Sequence, residues 1–518
     1  METFLRRFAL IVSGVLSGFD RVVFKGRLPQ LYSPEGMNCY VAANHVQFVD
    51  FKSHAKAVTK RVMDSSRVEW AKANDRYRFL SSSRESKDEA AKAILAKRPV
   101  TTGLAAVLQC VEPCWTFDTK TEDGRLTIMG EPGKCSSLYH YYRHPVFGWM
   151  YIRLQTWFPF EVQIGLNGRE WLASRMEREG MKYQRSDNKF LHVADWSKAQ
   201  TWLDEQQQTN WVTEFDALVK EVHPLHPGHL GRLPHSYNWT VHQSEWATDV
   251  AFRSRAELEA WYPRWTRYAF TQFDSVQAMR FLGRSGRLPK NGTADVHSDV
   301  KGYDESVRIK HVVNGNSVKM YDHGNVLRVE TTINQPKEFR SYRSAVGDPQ
   351  GPKSWRVMRR SVADTHRRAA VSQAANERYL EALSAVAATT TVAEVASPWC
   401  ERVADVGGNG RTVRGLNPWA TADAALLAAV SDPKWTVNGL RNRDLAEAIF
   451  GKPPTDPTER KRRSAKVGRL IRLLRSHGIL KKVSKTNRYQ VCPKSKDGLL
   501  AVLATRSTTP EKLTALAA

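Results

Sequence analysis

The chain has 518 residues, 41% hydrophobic and 25% charged, so it can bury large cores and is not a disordered polymer. Lys plus Arg is 78 against 53 Asp plus Glu, a net charge of +25, which points to a polyanionic partner such as nucleic acid. No stretch reaches the ~18 consecutive apolar residues of a membrane span, and six cysteines are too sparse for a secreted disulfide scaffold, so a cytoplasmic protein without a membrane partner is expected.

In chain order, the apolar opening Phe4–Val12 reads as a buried strand or helix, and Asp20-Arg21-Val22-Val23-Phe24 as a strand. Ser83–Lys97 reads as an exposed helix. Trp115–Asp118 and Leu126–Met129 flank a turn at Glu122-Asp123-Gly124, and the aromatic run Tyr139–Gln163 reads as strands. Asn167-Gly168 is a turn before a helix, and helices dominate 195–221. Gln243–Asp249 reads as helical, with Glu245 and Asp249 one turn apart. Between 295 and 334 the Asn314-Gly315 and Asp322-His323-Gly324-Asn325 turns predict a β-meander, followed by a basic helix over 361–386. No internal repeat is evident in the sequence.

The C-terminal part is the most readable. Helices are predicted at 440–450 and 457–477, the second with Val467, Leu470, Ile471 and Leu474 on one face and Arg462, Arg463, Lys466 and Arg469 largely on the other. A hairpin at 479–491 carries Lys482, Lys485 and Arg488. Between Gly451 and Val491 there are thirteen Lys or Arg and two Asp or Glu. Helix, turn, basic helix and basic hairpin predict a winged helix-turn-helix, with one helix in a major groove and the wing on phosphates. The fold class is therefore α+β: a mixed β-sheet core with helical insertions and a C-terminal winged helix. The expected segments are 1–100, 101–290, 291–385, a linker at 386–430, the winged helix at 431–495 and a tail at 496–518.

Two metal chemistries are open. Cys110, Cys114, Cys135 and His140 could supply soft ligands for zinc, although their spacing matches no compact finger. Carboxylates for Mg²⁺ or Mn²⁺ are the sharper candidates: Asp20, Glu245, Asp249, Asp322 and Glu330, with Asp20, Asp249 and Glu330 as metal ligands. Each could instead simply pair with a basic neighbour, Glu330 with Arg328 or Arg308 for instance. Tyr321 is a candidate nucleophile. Lys319-Met320-Tyr321-Asp322 followed by Leu327-Arg328-Val329-Glu330 resembles a local pattern of rolling-circle replication initiators, in which a tyrosine attacks a phosphodiester. Arg143, Arg153 and Trp157 interleave cations with aromatic rings, and Arg359, Arg360 and Arg367 could track a phosphate backbone.

Over residues 17–385 the chain resembles a widespread bacterial family associated with mobile elements and described by its C-terminal MarR-like winged helix. The resemblance rests on Ser17–Gly26, Arg153–Phe160, Gln243–Asp249, Lys319–Asp322 and Leu327–Thr332. It implies a mobile-element context and supplies no mechanism. Two readings follow. One is a metal-dependent nuclease or strand transferase acting on DNA, which a structured or guide RNA could direct, as in a transposase, a replication initiator or an RNA-guided nuclease. The other is a non-catalytic winged-helix DNA-binding regulator or an RNA-binding ribonucleoprotein component.

Overall fold

The computed structural model describes residues 1–224, 236–284, 295–303, 306–345, 348, 350–387, 391–407, 410–432, 434–435, 439–484 and 486–510. Two compact units are present, Met1–Ala387 and Ala388–Ala518.

The first unit is built on a single eleven-stranded sheet. Its strands are β1 (Val12–Arg27), β2 (Tyr77–Leu80), β3 (Gly103–Glu122), β4 (Arg125–His144), β5 (Gly148–Gln155) and β6 (Val162–Asn167). A small separate hairpin follows, β7 (Tyr183–Ser186) and β8 (Lys189–Val193). The sheet resumes with β9 (Asn238–Phe252), β10 (Val296–Tyr303), β11 (Ser306–Val313), β12 (Asn316–His323) and β13 (Val326–Ile333). The spatial order is β10-β11-β12-β13-β9-β1-β6-β5-β4-β3-β2, with only β2–β3 parallel among these pairs. One topology occurs twice in that order. A long first strand (β1 or β9) is followed by helices and then by a four-stranded meander whose last strand (β6 or β13) returns to pair with it. The two first strands meet at the centre. The sequence shows no such duplication, because the halves share connectivity rather than residues.

The expected division at 100 and 290 is replaced by this shared sheet, which runs continuously through all three predicted segments. Gln243–Asp249 is strand, not helix: β9 is held on both sides, by β1 and β13, and pairing on two edges overrides local propensity. Local chemistry shapes the hairpins. Asp123-Gly124 and Asn314-Gly315 both carry positive φ at the two central residues (+49° and +74°; +49° and +76°), the turn that matches strand twist. Asn167 is a helix cap: its side chain accepts from the Arg169 and Glu170 amides and starts helix Gly168–Arg178.

Side chains alternate across the sheet, so its two faces differ. One face carries the large cores. Phe19, Phe24, Ile152 and Ile164 pack with helices Phe51–Ser65 and Trp211–Val222, and Val318, Met320, Leu327 and Val329 pack with helices Arg255–Gln272 and Thr365–Leu383. The other face has two small apolar clusters, around Leu16 with Phe190 and Leu203, and around Leu108 with Tyr141 and Ala91. Polar residues occupy much of that second face.

The second unit has helices Val392–Cys400, Thr421–Ser431, Asn442–Phe450, Pro457–Ser476 and Pro493–Ser507, with a hairpin of Leu480–Lys482 and Tyr489–Val491. The expected linker and tail are folded parts of it. Trp399, Leu416, Leu426 and Leu427 from the first, and Leu499 and Val502 from the second, join Val467, Ile471 and Leu474 in one core. Ala-rich segments read as loose by sequence because alanine carries little periodic contrast. Arg462, Lys466, Arg469 and Lys482 are exposed, and Arg463 is half-buried against Glu459. Lys485 lies outside the described residues.

Candidate functional site

The polar face of the sheet is organised by a bulge in β1. Phe19 faces Trp246 and Val22 faces Ser244, so Asp20 and Arg21 together oppose the single residue Glu245. Such a bulge re-aims side chains and increases local twist. Here it brings Asp20 beside Glu245 of β9 and Glu330 of β13, whose carboxylate oxygens all lie within 4.8 Å of one another. Asp20 and Glu330 are buried and Glu245 is half-buried. Three carboxylates this close repel one another. Burial, then Glu330, pushes the Glu245 carboxyl up to about 7. The Asp20 carboxyl is raised as well, by burial first and by Glu330, although Arg328 pulls the other way.

A cationic frame holds the acids. Arg328, fully buried on β13, donates to Asp249 from Nε (2.5 Å) and NH2 (2.8 Å), and its NH1 lies 3.3 Å from Asp20. It also bonds the Asn188 carbonyl and side chain, while the Asn188 amide donates to Asp20. Arg169, 0% exposed, places NH2 3.0 Å from Asp249. Burial works to raise the Asp249 carboxyl, but Arg328 and Arg169 outweigh it and hold it below the usual range. Asp249 is therefore the anchor of the frame rather than a free ligand, a correction to its expected metal role. Glu245 takes the third position.

Glu330 pairs with neither Arg328 nor Arg308. Its Oε2 accepts from the Tyr321 hydroxyl (2.9 Å), and its Oε1 lies 2.7 Å from Lys319 Nζ without a hydrogen bond of good geometry. Tyr321 is buried, with the Lys189 and Lys319 ammonium groups each 5.7 Å from its ring centre. Burial pushes its hydroxyl well above the ordinary value, so it is a neutral donor at rest. Asp322, next in sequence, points to the opposite face and pairs with Arg255 (2.8 Å) and Ser306, which removes it from the site. The one-residue alternation of a strand explains why neighbours in sequence part company here.

The residues brought together are hard oxygen donors, which suits a divalent ion such as Mg²⁺ or Mn²⁺. Glu330 Oε1, although 2.7 Å from the Lys319 ammonium, makes no hydrogen bond and keeps a lone pair for such an ion. Of the four zinc candidates only Cys114 and Cys135 meet, with Sγ atoms 2.8 Å apart, so no four-ligand site assembles. Cys135 and His140 lie on opposite faces of β4, and His140 Nε2 bonds the Ser66 carbonyl. Cys110 and Cys114 are four residues, about 13 Å, apart on β3. Among the described residues the acid triad is the only such grouping of potential ligands.

No family model, no curated protein and no solved structure matches this chain. Its chemistry has to be read from its own geometry.

Of the expected nucleic-acid contacts in the first unit, Arg143 and Arg359 are exposed and Arg360 is half-buried, bonding the Asn334 carbonyl. Arg367 pairs with Asp364. Trp157 packs against the main core and donates to the Phe117 carbonyl, so it is a structural ring. Arg153 is buried against Glu112. Sequence reasoning missed Arg169, Asn188, Lys189, Lys319 and Arg21. Two of them carried a signal, Arg21 by its place beside Asp20 in a polar interruption of an apolar strand and Lys319 by its place in the Lys319–Asp322 motif. No helix among the described residues is long and apolar enough to cross a membrane.

Proposed function

We propose that the first unit cuts and rejoins phosphodiester bonds with the help of a divalent ion, and that the second unit is a winged helix that grips nucleic acid. The observation that carries this reading is the contact between the Tyr321 hydroxyl and Glu330, one of three carboxylates within 4.8 Å of one another. Asp20, Glu245 and Glu330 would hold a divalent ion through their oxygens, and it would neutralise charge at a phosphate.

The residues then have distinct roles. Tyr321 Oη attacks phosphorus and passes its proton to Glu330 Oε2. The bond from phosphorus to the leaving sugar oxygen breaks, and that oxygen takes a proton from water and leaves as a hydroxyl. The product is a phosphotyrosine diester, and attack by a hydroxyl in the reverse direction rejoins the strand. Lys189 and Lys319 offset negative charge building on the tyrosine oxygen and the phosphate. Arg328 and Arg169 hold Asp249 and Asp20 in place. The exposed Arg462, Lys466 and Arg469 suit phosphate contacts in a groove. A mobile-element nickase or transferase acting on DNA fits this combination.

The experiment uses the full chain with labelled single- and double-stranded DNA and Mn²⁺. Metal-dependent cleavage is expected, with a covalent protein–DNA adduct that disappears in Tyr321→Phe and in Glu330→Ala. Tight binding with no products at any divalent ion would favour the non-catalytic regulator or ribonucleoprotein component, a reading supported by the basic stretch 451–491 alone.

A further inference from the structure

A second polar site lies on the same face of the sheet. It is a cleft of about 520 Å³ over β1, β6, β5 and β3, with Lys25, Arg27, Glu112, Tyr139, Arg153 and Glu161 on its walls. Arg153 is only 7% exposed. Its Nε donates to Glu112, and NH1 stands 3.9 Å from Glu161. The two terminal nitrogens have no hydrogen bond among the described residues, and they are not sealed into the core. A buried guanidinium left open in this way presents a two-pronged donor to a ligand.

The charge count defines what that ligand is. Glu112 is satisfied by Arg153 and the Tyr139 hydroxyl (3.0 Å). Glu161 is satisfied by Lys25 (3.0 Å), Arg27 (3.1 Å) and the Tyr32 hydroxyl (3.2 Å). Three cations face two carboxylates, so one positive charge remains for one monoanionic group. A phosphodiester is such a group.

The cleft is also aligned with the acid triad. Lys25, Gln163 and Arg153 form one cross-strand row, and Lys25 is five residues along β1 from Asp20, roughly 15 Å. Exposed Arg21 stands between them on β1. A cleft of this volume is the size of a small-ligand site. It admits a nucleotide of an unpaired strand, whereas a duplex would have to open first.

We propose that this cleft seats a phosphodiester and its nucleotide from the same single strand as the phosphate at Asp20, Glu245 and Glu330, a few nucleotides along, with Arg153 receiving the phosphate oxygens. This rests on the phosphodiester reading of the acid cluster and assigns it a single-stranded substrate. The full chain is irradiated in EDTA with a 20-nucleotide oligothymidylate carrying 5-iododeoxyuridine at every third position, and adducts are mapped by mass spectrometry. Adducts on Tyr32 or Tyr139 are expected. Their yield should fall at least fivefold in Arg27→Ala and in Lys25→Ala, while adducts elsewhere persist and the circular dichroism spectrum shows each variant folded. Absence of adducts at both tyrosines overturns the proposal, and so does a yield indifferent to both substitutions. Selective suppression of these adducts by millimolar thymidine monophosphate, with the rest of the strand still bound, would also overturn it by making the cleft a free-nucleotide pocket. Metal-dependent cleavage is scored separately. Cleavage without cleft adducts removes the subsite alone, and cleft adducts without cleavage remove the cutting reading alone.

Discussion

The fold opposes the charge of Glu245. Its carboxyl is held at about 7 by burial and by Glu330. A raised folded-state value means that the folded protein binds the extra proton between the ordinary carboxylate range and about pH 7. The stability it contributes is full below that range and is lost as pH rises through 7. Glu245→Gln removes the titration. Between pH 5 and 8 the thermal midpoint of the variant should therefore gain about 2 °C on the wild type, in metal-free buffer followed by circular dichroism. Identical slopes for the two proteins would show that Glu245 does not titrate there. Millimolar Mn²⁺ should raise the wild-type midpoint more at pH 8 than at pH 6, because the ion needs the ionised acid, and should leave Glu245→Gln unmoved.

At the scale of elements, the frame built by Arg328 ties β13 to β9, to β1 and to the β7–β8 hairpin. Removing one partner of a buried, hydrogen-bonded ion pair costs about 3–5 kcal/mol, because the other charge is left unsatisfied. Asp249→Asn should accordingly lower the urea midpoint of the first unit, far more than Asp322→Asn, whose partner Arg255 is 27% exposed and can turn to water. Equal losses in the two variants would refute the anchoring role of Asp249. The elements themselves were largely readable in the sequence. The meander at 295–334 and the Asp123-Gly124 turn carry strong local signals, and β1 announces itself by Val22-Val23-Phe24. The site was readable only as a set of acids. Asp20, Glu245 and Glu330 stand among the candidate carboxylates, Glu330 because a lone acid in an apolar strand needs a reason, and Tyr321 stands out through the local pattern around it. Asp249 was misassigned among the ligands and Asp322 among the site residues, because the sequence does not say which face of a strand meets a guanidinium. Arg169 and Asn188 sit at a helix start and in a turn, and nothing local marks such residues as buried.

For the molecule as a whole, the excess of positive charge is unevenly distributed. The helix Pro457–Ser476 keeps Val467, Ile471 and Leu474 inside and presents Arg462, Lys466 and Arg469 outward, so its amphipathic face and its charge are separate. Each phosphate contact contributes ~0.9 to the slope of log affinity against log salt on duplex DNA. Replacing these three residues together by alanine should reduce that slope by about 3 in a fluorescence anisotropy titration. It should leave the Mn²⁺-dependent rise in thermal midpoint intact, since Asp20, Glu245 and Glu330 all lie in the other unit. A slope unchanged by the triple substitution would place the duplex contacts elsewhere.

The doubled topology has one more consequence. The three acids come from β1, at the start of the first half, and from β9 and β13, at the start and end of the second. Neither half can bring the three acids together alone, and Glu330 lies on the last strand of the sheet in chain order. A chain still emerging from the ribosome thus lacks the acid cluster until nearly two thirds of it has been made.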